Sequence, residues 1–419
     1  MNAGLIVIIL LLVLSILGIP IYLALGIGTL VALNMADMPF IVLPQKLFAG
    51  MNSSSLLAIP FFMLAGNIMS RSITGKLIDV SNALIGWIKG SLAVVTVLAS
   101  ALFGAISGSG VATASAVGGT TIPAMKEEGY PDHFAAAISG IAAILGPIIP
   151  PSITLIVYAS ITDLSVSKLF VGSVIPGILM AVGLIIYALF YGKKNDLPAH
   201  ERKSAKEVLL IFKDSIWALL MPVIILGGIF GAIFTPTESA AVAVVYALLV
   251  SLLIYKDIKI KDIPGIFVDG AISTATILLL VGISKSSGYV ITTSGLPHQV
   301  LEVFSSFTNS TVVILLLLNI LFLVIGMLME ANAAIIMMTP ILLPLLDAFG
   351  IDPLQFGIMM SFNLCIGLVI CLLMTNQIAG ARFVQTLKSV LPMLLIGIVV
   401  LMLVTYIPQV TTFLPGLIK

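Results

Sequence analysis

Charge is scarce in this chain. Asp, Glu, Lys and Arg make up 9% of its 419 residues, against about 25% in soluble domains. Apolar residues reach 60%, so too little polar surface remains to face water and the chain reads as an integral membrane protein. The net charge of +1 leaves no electrostatic footprint for nucleic acid. Cysteine is nearly absent: Cys365 and Cys371 are too few for a disulfide framework or a thiolate cluster, and both read as packing residues. Neither Lys nor Arg occurs before Lys46. The opening MNAGLIVIILLLVLSILGIP lacks the basic head and cleavage site of a secretory signal. It reads as a retained first helix with nothing to hold it in the cytoplasm. No lipidation signal is evident. Also missing are a Walker motif, a His-Glu-x-x-His metal site, a Gly-x-Ser-x-Gly elbow and paired intramembrane aspartates, which argues against ATP-driven work and against an intramembrane enzyme. No filter resembling TVGYG suggests a potassium channel.

What is present is a series of apolar segments near 4–33, 55–70, 91–122, 134–160, 169–192, 216–234, 238–255, 266–295, 311–329, 333–346, 356–380 and 389–409. A clean span needs about 20 apolar residues. Several of these are too long or too short, so ten to twelve crossings are expected, with some segments re-entrant. One strongly polar stretch, residues 193–214, carries six Lys/Arg and four Asp/Glu. A second basic loop, KDIKIKD, covers 256–262. Two apolar segments lie between them, so both loops share a face, and the positive-inside rule makes it cytoplasmic. Residues 74–89 are amphipathic, with Leu77, Val80, Leu84 and Trp87 at helical spacing; they form either a linker helix or an interfacial brace.

Residues 146–152 read Gly-Pro-Ile-Ile-Pro-Pro-Ser inside a stretch, 135–162, with no charged residue. Proline has no amide proton and clashes with the preceding turn, so this segment must break. Broken backbone at membrane depth is tolerated only inside protein or along a cavity, and transporters use it to hold ions and substrate. The pattern recurs. Gly104, Pro123, Gly129, Pro131, Phe134 and Gly146 in one half correspond to Gly326, Pro344, Gly350, Pro353, Phe356 and Gly367 in the other, each interval agreeing to within a residue. Such self-similarity marks inverted-repeat transporters. Each half would then give a helical hairpin followed by a broken helix. The first tip, residues 106–111, would meet the break at 146–152 and form an oxygen cage for a monovalent cation, or else simply a close helix contact of Gly and Ser.

The runs LLAIPFFMLAGNIM (56–69), SGSGVATASAVGG (107–119), GPIIPPSI (146–153), SKLFVG (167–172), FTPTESAAVA (234–243) and IGMLMEANAA (325–334) together resemble the large membrane subunit of tripartite ATP-independent periplasmic (TRAP) transporters, over nearly the whole chain. The resemblance implies an all-α polytopic membrane protein of two inverted repeats with re-entrant hairpins and broken helices, arranged as an elevator-type transport domain plus a scaffold. It implies a secondary importer of organic acids in the bacterial inner membrane. Na⁺ would be the coupling ion, with no other cofactor. The partners would be a small four-helix membrane subunit and a periplasmic solute-binding protein. On this frame residues 1–90 are scaffold helices and an amphipathic brace, and 91–192 the first transport repeat, with its hairpin at 91–122 and broken helix at 134–160. Residues 193–215 are a cytoplasmic loop, 216–310 scaffold, 311–380 the second repeat and 381–419 a C-terminal helix. Sialic acids, C4-dicarboxylates and sugar acids are all candidate substrates.

One departure from the family pattern stands out. After Gly367 the family continues into a Thr-Pro-Pro-x-Gly break. Here Leu368-Val369-Ile370-Cys371-Leu372-Leu373-Met374 follows, without proline, in a segment about five residues short, so a continuous helix is expected. A transport-impaired scaffold or decayed copy is the alternative this raises. The candidate first Na⁺ site comprises Gly104, Ser107, Gly146, Ile149 and Pro151, and a second comprises Gly326, Glu330 and Gly367. Ser109, Lys285 and Asn332 are candidate substrate ligands. Lys285 sits in an apolar segment among Ser284, Ser286, Ser287, Thr292 and Thr293, where it either meets a carboxylate or snorkels to the interface. Glu238, behind Thr235 and Pro236, reads as the first turn of a helix. His133 reads as a loop residue, and the methionines of 327–338 as packing.

Overall fold

The computed structural model describes residues 2–199, 201–367 and 369–417, which form helices and loops with no strand among them. Among these residues, nine helices are long and apolar enough to cross a bilayer. The bent pair Val42–Met51 and Ser54–Ser72, angled by 61°, makes a tenth if taken as one span. The chain is a multi-pass membrane protein, at the low end of the ten to twelve crossings read from its apolar segments. The first segment accounts for part of the difference. In place of a single helix it forms Ala3–Ile16 and Ile21–Met35, of 14 and 15 residues. At 1.5 Å per residue neither bridges a hydrocarbon core of about 30 Å. Pro20 caps the second helix, where a missing N–H costs nothing. The two then pack side by side, with Gly28 against the Val7 backbone.

Hydropathy does not distinguish the helices, but burial does. The apolar window of Asp132–Thr162 is 94% buried and that of Pro353–Ala379 is 93%, against 28% for Ala205–Phe230 and 33% for Thr311–Leu328. Two spans therefore form a protein-lined centre while others face lipid. The first central span is interrupted, and the second is described on either side of residue 368. Asp132–Ala143 and Leu145–Ile148 lead into a break before Ile153–Thr162; Pro353–Ile366 leads through Gly367 to Val369–Ala379. Preceding them are the hairpins Ser91–Ser107 with Gly110–Glu127, and Thr311–Leu328 with Ala331–Phe349.

The halves exchange their ends. Ile153–Thr162 packs on Ala331–Phe349 of the other half, and Val369–Ala379 packs on Gly110–Glu127 and Asp132–Ala143. Tyr158 donates to the Pro353 carbonyl at 2.8 Å, and its ring lies where a Cβ on Gly357 would have to go. In the reciprocal contact Gly140 is covered by Leu372 and Thr375, and Lys126 donates to the Ala379 carbonyl at 2.6 Å.

The basic loops do meet on one face. Lys76 pairs with Asp214, Ser72 donates to Asp257 at 3.2 Å, and Tyr255 donates to the Asp214 carbonyl at 2.9 Å. The loop expected over 193–215 is shorter, because residues from Ala205 are already helical. Ser204 and Glu207 form a reciprocal capping box there, which satisfies two backbone donors. The amphipathic helix is Thr74–Ile85; of its stripe, Leu77 and Val80 are buried but Leu84 and Trp87 are exposed. His133 is in the first turn of Asp132–Ala143, not in a loop, and its Nδ1 lies 2.8 Å from the Ser389 hydroxyl. The C-terminal segment divides into Phe383–Tyr406 and Gln409–Leu417. Met1, His200, Leu368, Ile418 and Lys419 lie outside the described residues, so the expectation for the second break is met only from Val369 onward.

Candidate functional site at the hairpin tips

The first tip is two residues long. Gly108 takes φ +61°, a left-handed conformation open to glycine, and a Cβ there would stand 2.6 Å from the Pro151 carbonyl oxygen. Ser109 then caps Gly110–Glu127 by accepting from the Ala112 N–H at 3.3 Å. One turn back, a Cβ on Gly104 would stand 2.8 Å from the Gly146 Cα, and one on Gly146 would meet the Ser109 carbonyl at 2.6 Å and the Thr113 hydroxyl at 2.7 Å. The Ser107 hydroxyl lies 3.4 Å from that of Thr113. Hairpin and break are thus in backbone contact, with no room for any side chain between them.

The break follows directly from the prolines. In a continuous helix the carbonyls of Gly146 and Pro147 would receive the amides of residues 150 and 151, but both are proline and have none. Ile149 turns extended, with ψ 128°. Ser152 caps the resuming helix, accepting from the Leu155 N–H at 3.4 Å. Hydroxyls replace the lost donors at Pro147: both Ser152 and Thr154 donate to its carbonyl.

The second tip is built differently. Met329 is extended and Glu330 caps Ala331–Phe349, accepting from the Ala333 N–H at 3.2 Å and from the Asn332 side-chain amide at 2.6 Å. The Asn332 amide oxygen is buried with no hydrogen-bond partner among the described residues. Behind the tip, a Cβ on Gly367 would stand 2.8 Å from the Gly326 Cα, the same close approach as Gly104 to Gly146. Among the described residues the break itself has no counterpart. Gly367 keeps helical angles, φ −66° and ψ −10°, and residues 369–379 are helical, whereas Ile149 and Ser152 are extended.

Both tips open on one cavity of about 540 Å³. Gly108, Ser109 and Val111 line one side and Glu330 to Ala333 the other, with Pro147, Ile153 and Thr154 from the break and Ile272 to Leu280 from the long helix Ile263–Thr293. Three helices, Gly110–Glu127, Ile153–Thr162 and Ala331–Phe349, begin at its wall. Their unpaired amides and dipoles favour an anion there without any lysine or arginine. Among the described residues that line it, the carboxylate of Glu330 is the one opposing charge, and it already holds the Asn332 and Ala333 donors.

The structure brings together Ser109, Glu330 and Asn332 at the cavity, and Gly104, Ser107, Gly146 and Pro151 just behind the first tip. Ile149 turns its side chain toward Gly177, so only its backbone is available to the cage. Gly326 and Gly367 lie behind the second tip. Lys285 is elsewhere: it donates to the Ser160 carbonyl at 3.1 Å and lines a separate cavity. Glu238 closes a capping box with Thr235. Cys365 lines the tip cavity and Cys371 covers Gly110. Among the described residues no three of His, Cys, Asp and Glu come together, so a hard cation would rely on carbonyl and hydroxyl oxygens. Sequence reading missed Thr154, Ser273 and Thr276 on the cavity wall; the last two, three residues apart in an apolar helix, were the available signal.

Residues 8–410 match the family model described as the DctM component of the tripartite ATP-independent periplasmic transporter. The chain is 39% identical, over 88% of each sequence, to the C4-dicarboxylate TRAP transporter large permease protein DctM of Pseudomonas aeruginosa. It is 36% identical, over 95% of its own length and 64% of the relative's, to the isethionate TRAP transporter permease protein DctMQ of Oleidesulfovibrio alaskensis. Among solved structures, the YdaH transporter of Alcanivorax borkumensis, described as having an unusual topology, aligns over 90% of this chain and 87% of that one, with TM-score 0.58 and 14% identity. That last likeness is one of fold.

Proposed function

This chain belongs to the family of DctM components of tripartite ATP-independent periplasmic transporters, and on that footing we propose that it is the permease that carries a small organic anion inward across a bacterial inner membrane. The observation that carries the reading is the cavity between the two tips, with three helix N-termini at its wall. Such a site attracts a carboxylate or sulfonate by backbone dipoles, and Ser109 and Asn332 supply side-chain polar atoms beside it. Relatives named for C4-dicarboxylates and for isethionate carry small anions of these two kinds. A tripartite system has two further components, here a small membrane subunit and a periplasmic solute-binding protein that delivers the anion.

The driving force is a Na⁺ gradient. The ion is held by the backbone and hydroxyl oxygens of Gly104, Ser107, Gly146, Ile149 and Pro151, where the prolines have deprived carbonyls of their helical donors. Gly326, Glu330 and Gly367 form the corresponding position in the second half. The two hairpins and central spans move as a transport body against the long helix Ile263–Thr293 and its neighbours. The test is uptake into proteoliposomes holding this chain, the small subunit and the binding protein. An inward Na⁺ gradient is expected to drive accumulation that a Na⁺ ionophore abolishes; accumulation indifferent to Na⁺ would overturn the coupling. A second reading, favoured by the helical backbone at 369–379, is a chain that keeps the architecture without transport, and absence of uptake in the complete system would establish it.

A further inference from the structure

A second cavity, of about 400 Å³, lies between the Ile263–Thr293 helix and the transport repeats. Its polar wall is Lys46, Ser284, Lys285, Tyr289 and Thr292; its apolar wall includes Ile161, Ile336 and Pro340. Among the described residues, none that lines it carries a carboxylate. Two ammonium groups therefore share a half-enclosed space without a counter-ion on its wall. Lys285 spends one of its three N–H donors on the Ser160 carbonyl. Lys46 is steered by the Tyr289 ring, 4.4 Å from its centroid. Asp163 is the nearby acid that acts on Lys285, but it is not part of the wall.

The place of this cavity along the membrane normal follows from two helices. Ile263–Thr293 starts beside the basic loop at 256–262 and runs away from the cytoplasm. Residues 272–280 line the tip cavity and 281–292 line this one, so it lies about 16 Å farther out along the helix at 1.5 Å per residue. Independently, Val166–Lys194 ends at the cytoplasmic Lys193 and Lys194, which puts the chain around Ile161 at the opposite side.

We propose that the Lys46/Lys285 cavity is an outer capture site, which takes the acidic group of the arriving organic anion before it reaches the hairpin tips. This rests on the importer reading for its direction. A cationic antechamber raises the local concentration of an anion and speeds its entry, whereas the tip cavity, with no lysine or arginine on its wall, releases it readily on the other side. The site also explains why Lys285 is in an otherwise apolar segment, where charge is costly.

The full-length protein in phosphatidylcholine nanodiscs would be lightly methylated with formaldehyde and borohydride, and each lysine followed by mass spectrometry. Succinate is expected to slow modification of both Lys46 and Lys285, while 1,4-butanediol, alike in size but uncharged, does not; Lys76 and Lys89, paired at the other face, serve as internal references. Equal rates with and without succinate would overturn the proposal. So would protection brought by phosphatidylglycerol alone with no further effect of succinate, which would assign the cavity to lipid. In the reconstituted complex, the double variant Lys46→Gln/Lys285→Gln is expected to raise the half-saturating substrate concentration about tenfold with little change in maximal rate, as for loss of charge-assisted hydrogen bonds. Lys285→Arg should retain most of the affinity, and unchanged half-saturation in the double variant would remove the site from the path. The methylation result does not depend on transport, so failure of the importer reading and failure of this one remain distinguishable.

Discussion

Two pairs of glycines let backbone meet backbone behind the hairpin tips, Gly104 on Gly146 and Gly326 on Gly367. A methyl group at either member would have to displace backbone, which has no rotamer to change. Gly146→Ala is therefore expected to destabilise the protein by about 1–3 kcal/mol, the usual cost of overpacking, read from thermal unfolding in detergent. Gly119→Ala is the control: nothing lies near its Cβ position, and removing a helix-interior glycine should be neutral or stabilising by up to about 1 kcal/mol. Equal losses for the two would refute the packing account. A second prediction concerns Asn363, fully buried, which donates to the Asn319 carbonyl and side chain at 3.0 and 2.7 Å, while Asn319 donates to Thr405 at 3.0 Å. Asn363→Leu leaves the Asn319 side-chain oxygen without its donor and should cost about 1–3 kcal/mol. The glycine pairs were legible in the sequence, because both halves repeat the spacing and glycine admits a backbone neighbour. The asparagine network was not, since its members are scattered along the chain and only folding joins them.

At the scale of elements, hydropathy found the apolar segments but not their roles. The windows of Asp132–Thr162 and Pro236–Ile254 are equally apolar, yet one is 94% buried and the other 39%. Membrane interior and protein interior have the same composition, so a single sequence cannot separate them. The break at 150–151 was legible because proline acts locally. So was the lack of one at 369–379. The start of Ala205–Phe230 was overlooked although Ser204 and Glu207 stand at capping-box spacing; the surrounding charges masked it. Replacing both Pro150 and Pro151 with alanine returns amides to the Gly146 and Pro147 carbonyls. The helix is expected to close, stability to hold or rise, and Na⁺-driven uptake to fall about tenfold or more, the loss of roughly one ion ligand. Full uptake in that variant would show that the break is not needed for coupling. Conversely, putting Thr-Pro-Pro-x-Gly and the missing residues into 368–374 should raise uptake if the second half is impaired, and no gain would argue that it is not.

For the molecule as a whole, the tip cavity has one wall from the repeats and one from the long helix Ile263–Thr293. If the repeats move as a body, joining those walls should stop them. In a Cys365→Ser background, Val111→Cys with Thr276→Cys is expected to cross-link under oxidation, abolish uptake and recover it on reduction. Unimpaired uptake by the cross-linked protein would exclude motion at this boundary. The family resemblance in the sequence had reached the architecture correctly. The residues themselves suggested Lys285, with Ser109 and Asn332, as a substrate ligand, and Lys285 lines a different cavity from the other two, because order along a chain cannot say which of two cavities a residue faces.

The exchanged ends of the two halves bear on how the protein is made. Ile153–Thr162 finds its packing surface on Ala331–Phe349, and Tyr158 its acceptor at Pro353, both synthesised much later. A ribosome that has delivered only the first half has delivered a helix whose partner does not yet exist. That helix must wait, shielded by lipid or by an insertion factor, and the first half cannot mature alone. A chain stopped before Thr311 should accordingly be cleaved near residues 149–162 by a protease that spares the full-length protein, and equal resistance would show that the early half completes itself.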